Sequence, residues 1–274
     1  MTSKLPIVRD VAFVARFTWV TAGLLLVASV AGILFGRSGL YTPDATLWSF
    51  LGQDAITLIL VFPLLLVSAH LALRGSTRGL LAWIGVLFYV AYSYYFYLVG
   101  ARFNALFPVY IALVSMGMYG ALALIFSIDL EQVSSHFNHH TRVRMIAAFL
   151  MTLALLFVAI WLSMTPVSLV NESELDDVAR FVIAVDGVVL LPLTFFGGLW
   201  LWRRQPLGYV LAGLLLVKVT ATMVTLVINT LLVTRWGVPL DTFELTVYAV
   251  VMVFSAALLV SYLKCVDTAD SKDV

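Results

Sequence analysis

The chain has 274 residues, 62% of them hydrophobic and 11% charged, where an ordinary soluble domain would carry roughly 25% charged residues. This excludes a soluble globule and marks a polytopic membrane protein. The formal net charge of +1 excludes the concentrated basic surface that nucleic acid requires, and the single cysteine, Cys265, excludes an intrachain disulfide framework.

Windows of about 20 apolar residues are long enough to cross the hydrocarbon core as helices. Eight follow in order, over 17–36, 54–73, 79–99, 104–127, 145–165, 178–202, 207–234 and 243–263. No polar-apolar alternation of the membrane-barrel kind is present, which predicts an all-α integral membrane fold in a single domain over 1–274. The first window is longer than a signal-peptide core and follows Asp10 as well as Lys4, Arg9 and Arg16, so it reads as an uncleaved anchor. Placing the N-terminus inside puts Lys4, Arg9, Arg16, Arg74, Arg78, Arg142, Arg144, Arg203, Arg204, Lys264 and Lys272 on the cytoplasmic face, against Arg37, Arg102, Arg180 and Arg235 outside. Both termini are then cytoplasmic, and the acidic stretch Glu172, Glu174, Asp176 and Asp177 faces outward. Trp19, Trp48, Trp83, Trp161, Trp200, Trp202 and Trp236 all fall near proposed span ends, as interfacial side chains do.

The two halves, 1–140 and 141–274, read as a parallel four-plus-four repeat. Thr42-Pro43, Asp54, Pro63, Arg74 with Arg78, and Gly79 in the first half align with Thr165-Pro166, Asp186, Pro192, Arg203-Arg204 and Gly208 in the second. This alignment sets Tyr89 of the third span opposite Lys218 of the seventh.

Several short motifs carry a likeness as well. They are Leu40-Tyr41 followed by Asp44, Gly52-Gln53-Asp54, Tyr95-Phe96-Tyr97 with Phe103-Asn104 and Leu106-Phe107, and Asp186 with Trp202-Arg203-Arg204 and Gly208-Tyr209. Their pattern resembles a group of prokaryotic multi-pass membrane proteins without a known activity. The resemblance implies a bacterial or archaeal cytoplasmic (inner) membrane and implies no mechanism.

Chemistry is most concentrated in the sixth and seventh spans. Asp186 lies about nine residues inside the outer end of its span, roughly 13 Å, and Lys218 about twelve residues inside the cytoplasmic end of the next, roughly 18 Å, at 1.5 Å per residue. In a core about 30 Å thick these depths nearly coincide. The pair reads either as a buried ion pair that fixes helix register or as a substrate, ion or proton-coupling site, since intramembrane ionisable groups mark pathways. Lys218, Thr222, Thr225 and Asn229 recur at helical spacing, so a polar stripe leads outward, serving either as a lining or as interhelical hydrogen-bonding glue. Gly85, Tyr89, Tyr92, Ser93 and Phe96 on the third span and Glu244, Tyr248 and Ser255 on the eighth are expected to converge with it. Together they describe a tyrosine-lined vestibule with a lysine and an aspartate at its base, suited to a small anionic or zwitterionic ligand. A sharper variant makes Lys218 a Schiff-base lysine for retinal or another aldehyde, with Asp186 as counterion.

Two further clusters are weaker. At the outer edge Gln53, Asp54 and Thr57 open the second span, Arg102 and Asn104 precede the fourth, and Glu244 opens the eighth; they read as helix capping and interfacial solvation, or as an entrance or cation site. His136 and His140 sit four residues apart in the longest cytoplasmic connection, with His139 between them and His70 on the same side, a spacing that permits metal or haem ligation but lacks a carboxylate or cysteine partner. No cofactor is expected.

These residues predict a small-molecule transporter or ligand-binding membrane receptor surrounded by membrane lipid. The alternatives are an accessory or structural membrane subunit, held by a purely structural ion pair and bound to itself or to another membrane protein, and the retinal-type photoreceptor. An intramembrane enzyme has least support, because no nucleophile, base and oxyanion set can be assembled.

Overall fold

A backbone immersed in hydrocarbon must satisfy its own hydrogen bonds, and for a chain this apolar the helix is the local solution. The computed structural model describes residues 11–42, 45–137, 143–170 and 177–266, of which 45–46, 164–170, 177–179 and 236 are described by backbone alone. Among the described residues eight helices are long and apolar enough to cross a membrane: α1 Ala12–Ser38, α2 Leu47–Leu73, α3 Thr77–Gly100, α4 Phe107–Ser127, α5 Val143–Ser163, α6 Arg180–Trp202, α7 Pro206–Val233 and α8 Thr242–Lys264. No β-strand occurs among them; one isolated bridge joins Phe137 to Val266. The all-helical expectation holds, and the architecture fits a multi-pass membrane protein.

Three boundaries differ most from the sequence reading, the first being the start of the first helix at Ala12 rather than at 17. The second helix starts at Ala45 rather than near Asp54, so Asp54 lies in the helix body. The fifth helix continues to Val170, past the Pro166 taken as its break. Elsewhere the ends follow local chemistry. Ser76 caps α3 by accepting from Gly79 N, and Asp241 caps α8 by accepting from Glu244 N.

The hairpins α2–α3 and α6–α7 are built alike, with a constant shift of 129 residues. At the first turn Arg74 N, Gly75 N and Ser76 N donate to the carbonyls of His70, Ala72 and Leu71; at the second Arg203 N, Arg204 N and Gln205 N donate to those of Leu199, Leu201 and Trp200. Gly75 and Arg204 occupy the same turn position with positive φ, 102° and 55°. Above each turn lies a proline, Pro63 or Pro192, which cannot donate to the carbonyl four residues back and crowds it. A π turn absorbs the misfit immediately before it, over Thr57–Val61 in α2 and Asp186–Leu190 in α6, with Phe62 N reaching Thr57 O and Leu191 N reaching Asp186 O.

Helices α3 and α7 form the centre. Of their most apolar windows 78% and 67% is buried, against 11–39% for the other six spans. They cross at Gly85, where an added Cβ would stand 2.6 Å from Val217 Cβ. Helix α4 packs along α3, α6 along both α5 and α7, and α8 along α7. At the end of the bundle that carries the two hairpin turns, Arg78 donates to the carbonyls of Lys264 and Val266, tying the start of α3 to the end of α8. There Tyr262 donates to Tyr209 O, and Phe137 packs on both rings. Trp83 departs from the interfacial expectation: it is wholly buried, and its Nε1 donates to Thr18 Oγ1 at 3.0 Å.

The hairpin turn sets a test. A Cβ at Gly208 would stand 2.3 Å from Leu201 N, whereas one at Gly23 meets nothing within 4 Å. Gly208→Ala is therefore expected to lower stability by about 1–3 kcal/mol and Gly23→Ala to leave it nearly unchanged, measured by denaturant unfolding in a mild detergent.

Candidate functional site

The π turn that begins at Asp186 turns that side chain inward, 7% exposed, while Val188 and Val189 point out at 76% and 45%. Facing it from α3 is Tyr92, whose hydroxyl donates to Asp186 Oδ2 at 3.3 Å. From α7 the Lys218 ammonium sits over the face of the same ring, 3.6 Å from its centroid, with the residue 4% exposed. The two predicted charges do come together, but no direct ion pair joins them. Tyr92 stands between, offering its hydroxyl to the carboxylate and its negative face to the ammonium.

In this unit Asp186 Oδ1 is buried without a partner among the described residues, and so are Thr220 Oγ1, Thr222 Oγ1 and Asn229 Oδ1 along α7, the last of them against Gly52 of α2. An unpaired buried oxygen costs about 1–3 kcal/mol. Thr222 and Asn229 lie on the stripe above Lys218. Thr225, the remaining member, is satisfied: its Oγ1 and the Tyr89 hydroxyl are 2.8 Å apart, and Gln53 Nε2 donates to Tyr89 at 3.2 Å and to Thr57 Oγ1 at 3.3 Å. Gln53, Thr57, Tyr89 and Thr225 thus form a closed neutral network at the centre, beside a charged unit of Lys218, Tyr92 and Asp186 with an open valence at Asp186 Oδ1. Ser93 is buried on α3.

Asp54 overturns the capping reading. It is wholly buried in the body of its helix, its Oδ2 accepting from Tyr41 at 2.6 Å and its Oδ1 from Tyr97 at 2.8 Å. Tyr97 stacks with Tyr94 at 4.8 Å and packs on Tyr110 at 5.1 Å. Burial, and after it the Asp54 carboxyl, pushes the Tyr41 hydroxyl above its ordinary value, so it remains a donor. Gly32 makes the room: a Cβ there would stand 1.9 Å from Asp54 Oδ2. The sequence carried a signal for two of these four tyrosines, Tyr94 and Tyr97, in the Tyr94-Tyr95-Phe96-Tyr97 run, but nothing in spacing tied it to Asp54.

The remaining predicted residues are dispersed. Tyr248 donates to Glu244 Oε1 at 2.6 Å, and its ring packs with Leu153, Val219 and Met223 rather than on the Lys218 unit. Glu244 lies in the first turn of α8, where the helix dipole favours it. Arg102 is exposed, and Asn104 shapes the loop before α4 by donating to the carbonyls of Leu40 and Arg102 and accepting from Leu106 N. Ring nitrogen Nδ1 of His136 lies 2.6 Å from Gln132 O; His140 falls outside the described residues, and among those described no group of three or more potential metal ligands is gathered. A cavity of about 220 Å³ lies between α5 and α6 beside the second π turn, lined by apolar residues including Leu155, Gly187, Pro192 and Phe196.

No family model matches the chain, and no curated protein or solved structure is similar to it.

Tyr92 separates two contributions. Tyr92→Phe keeps the ring under Lys218 and removes the Asp186 bond, for an expected cost of about 1–2 kcal/mol. Tyr92→Leu removes both, adding about 1–2 kcal/mol, and the difference between the variants in detergent unfolding measures the ammonium–ring contact.

Proposed function

We propose that the protein is a small-molecule transporter or ligand-binding membrane receptor whose site is the Lys218–Tyr92–Asp186 unit. The observation that carries this reading is the set of buried open valences around it. Among the described residues Asp186 Oδ1 and Thr222 Oγ1 have no partner, and Lys218 is matched by a ring face rather than by a carboxylate. A purely structural ion pair would close on itself, because unpaired groups in a low-dielectric interior are expensive. A small zwitterion complements this arrangement, with its cationic end at Asp186 Oδ1 and its anionic end at Lys218 and Thr222. A small anion satisfies the lysine half alone.

The reading extends to topology. The protein lies in a prokaryotic cytoplasmic membrane with both termini inside, supported by the basic residues gathered near Arg74, Arg203 and Lys264. Its halves form a parallel four-plus-four repeat, supported by the matched turns and π turns. In that repeat Tyr89 corresponds to Lys218 and Thr57 to Asp186 under the 129-residue shift.

Binding is tested by thermal unfolding of the purified chain against a panel of small amino acids and carboxylates. A ligand at a hundred times its Kd stabilises by about 2.7 kcal/mol; the shift is expected in the wild type and absent in Lys218→Met and in Asp186→Asn, both of which remain folded. If each single change instead destabilises without ligand and Asp186→Asn/Lys218→Met restores stability, the unit is structural. For topology, Cys265, partly exposed just beyond α8, is expected to resist a membrane-impermeant maleimide on intact cells and to react once the membrane is permeabilised.

A further inference from the structure

A second ionisable group lies outside the Lys218 unit and has no cation. Every element packed against Asp54 contributes neutral groups: Ser29 and Gly32 from α1, Tyr41 from the connection after it, Phe50 from the same helix, Tyr94 and Tyr97 from α3, and Tyr110 from α4. No lysine, arginine or histidine among the described residues forms an ion pair with it, and Arg37, which follows α1's Gly36, lies over the Trp48 ring. A carboxylate withdrawn from water without a counter-charge is far more costly than the neutral acid, and neutralisation by a proton is the ordinary outcome.

The hydrogen bonds accommodate both forms. Tyr97 Oη lies within reach of two acceptors, Asp54 Oδ1 at 2.8 Å and the Phe50 carbonyl at 3.3 Å. With Asp54 ionised, the Tyr97 proton points to Oδ1. When a proton binds Oδ1, the new O–H donates to Tyr97 Oη and the tyrosine turns its own proton to Phe50 O. One O–H bond forms, no other covalent bond changes, and no polar hydrogen loses its acceptor; Tyr41 keeps its bond to Oδ2 in both forms. Tyr110 places a further hydroxyl among the same rings, 1% exposed as a residue and without a partner.

We propose that Asp54 is a reversible proton-binding site, with Tyr97 as the hydroxyl that switches between Asp54 and the Phe50 carbonyl. The site is separate from the Lys218 unit and does not depend on the ligand assigned there. Infrared absorption of the full chain in lipid tests it, through the carbonyl stretch of a protonated carboxylic acid. The band is expected at neutral pH, lost reversibly as pH rises, absent in Asp54→Asn and retained in Asp186→Asn. Tyr97→Phe removes the acceptor of the Asp54 proton, so the band is expected to persist at a shifted frequency, which assigns it to Asp54 even where Asp54→Asn fails to fold. Absence of such a band at every pH, survival of the band in Asp54→Asn, an unshifted band in Tyr97→Phe, or loss governed by sodium instead of pH would each overturn the proposal.

Discussion

Among the described residues three acidic or basic side chains, Asp54, Asp186 and Lys218, are buried in helices that are otherwise mostly apolar, and the way each is satisfied orders the helices around it. An isolated charge in such a medium is prohibitively expensive. Tyrosine supplies the remedy at all three, because it combines an apolar body with a hydroxyl donor and an electron-rich face. Tyr41 and Tyr97 serve Asp54, and Tyr92 serves Asp186 with its edge and Lys218 with its face. Three of these contacts come from one helix. That requirement explains why α3, richer in tyrosine than any other span, is also the most buried of the eight.

Bringing α3 close enough to serve its neighbours depends on missing side chains. Gly85 lets α7 approach until Val217 packs against it; Lys218 follows Val217, and its ammonium meets the ring of Tyr92, two helical turns along α3 from Gly85, through the reach of the two side chains. Gly32 leaves the space in which the Asp54 carboxylate meets the Tyr41 hydroxyl. Gly52 does the same on α2 for Asn229, whose Oδ1 would stand 2.2 Å from an added Cβ. Packing and polarity are therefore linked here: Gly32 and Gly52 sit where a polar group needs the volume, and Gly85 where Val217 does.

Much of this was legible in the sequence, and the failures share a cause. Apolar windows located all eight helices, because hydrocarbon burial acts on every residue of a span and its signal accumulates. Depth arithmetic brought Asp186 and Lys218 to one level, because helix rise is nearly constant. It could not show that Tyr92 would lie between them, since rotation about the helix axis is set by packing partners distant in sequence. Asp54 was misread as a cap because a polar triplet, Gly52-Gln53-Asp54, before an apolar run looks like a helix start; its true partners, Tyr41 and Tyr97, lie 13 and 43 residues away. Trp83 failed likewise, its acceptor Thr18 being 65 residues distant. The π turns were foreshadowed by Pro63 and Pro192, but a proline announces a lost hydrogen bond without saying how the helix repairs it.

The matched hairpins make the difference between the two sides of the centre informative. Under the same 129-residue shift Asp186 takes the place of Thr57 and Lys218 that of Tyr89, while Asp54 corresponds to Ile183 and not to Asp186 as the sequence alignment set it, so none of these three buried groups has a carboxylate or a basic side chain as its counterpart. On the α2–α3 side Gln53, Thr57, Tyr89 and Thr225 bond to one another, and nothing in that network calls for an outside partner. On the α6–α7 side two charges share one tyrosine and leave Asp186 Oδ1 and Thr222 Oγ1 open. The same hairpin geometry that lets Gln53, Thr57, Tyr89 and Thr225 close on one another is present on the other side. The open valence at Asp186 Oδ1 is thus a property of the residues placed at Asp186 and Lys218, not a failing of the hairpin geometry.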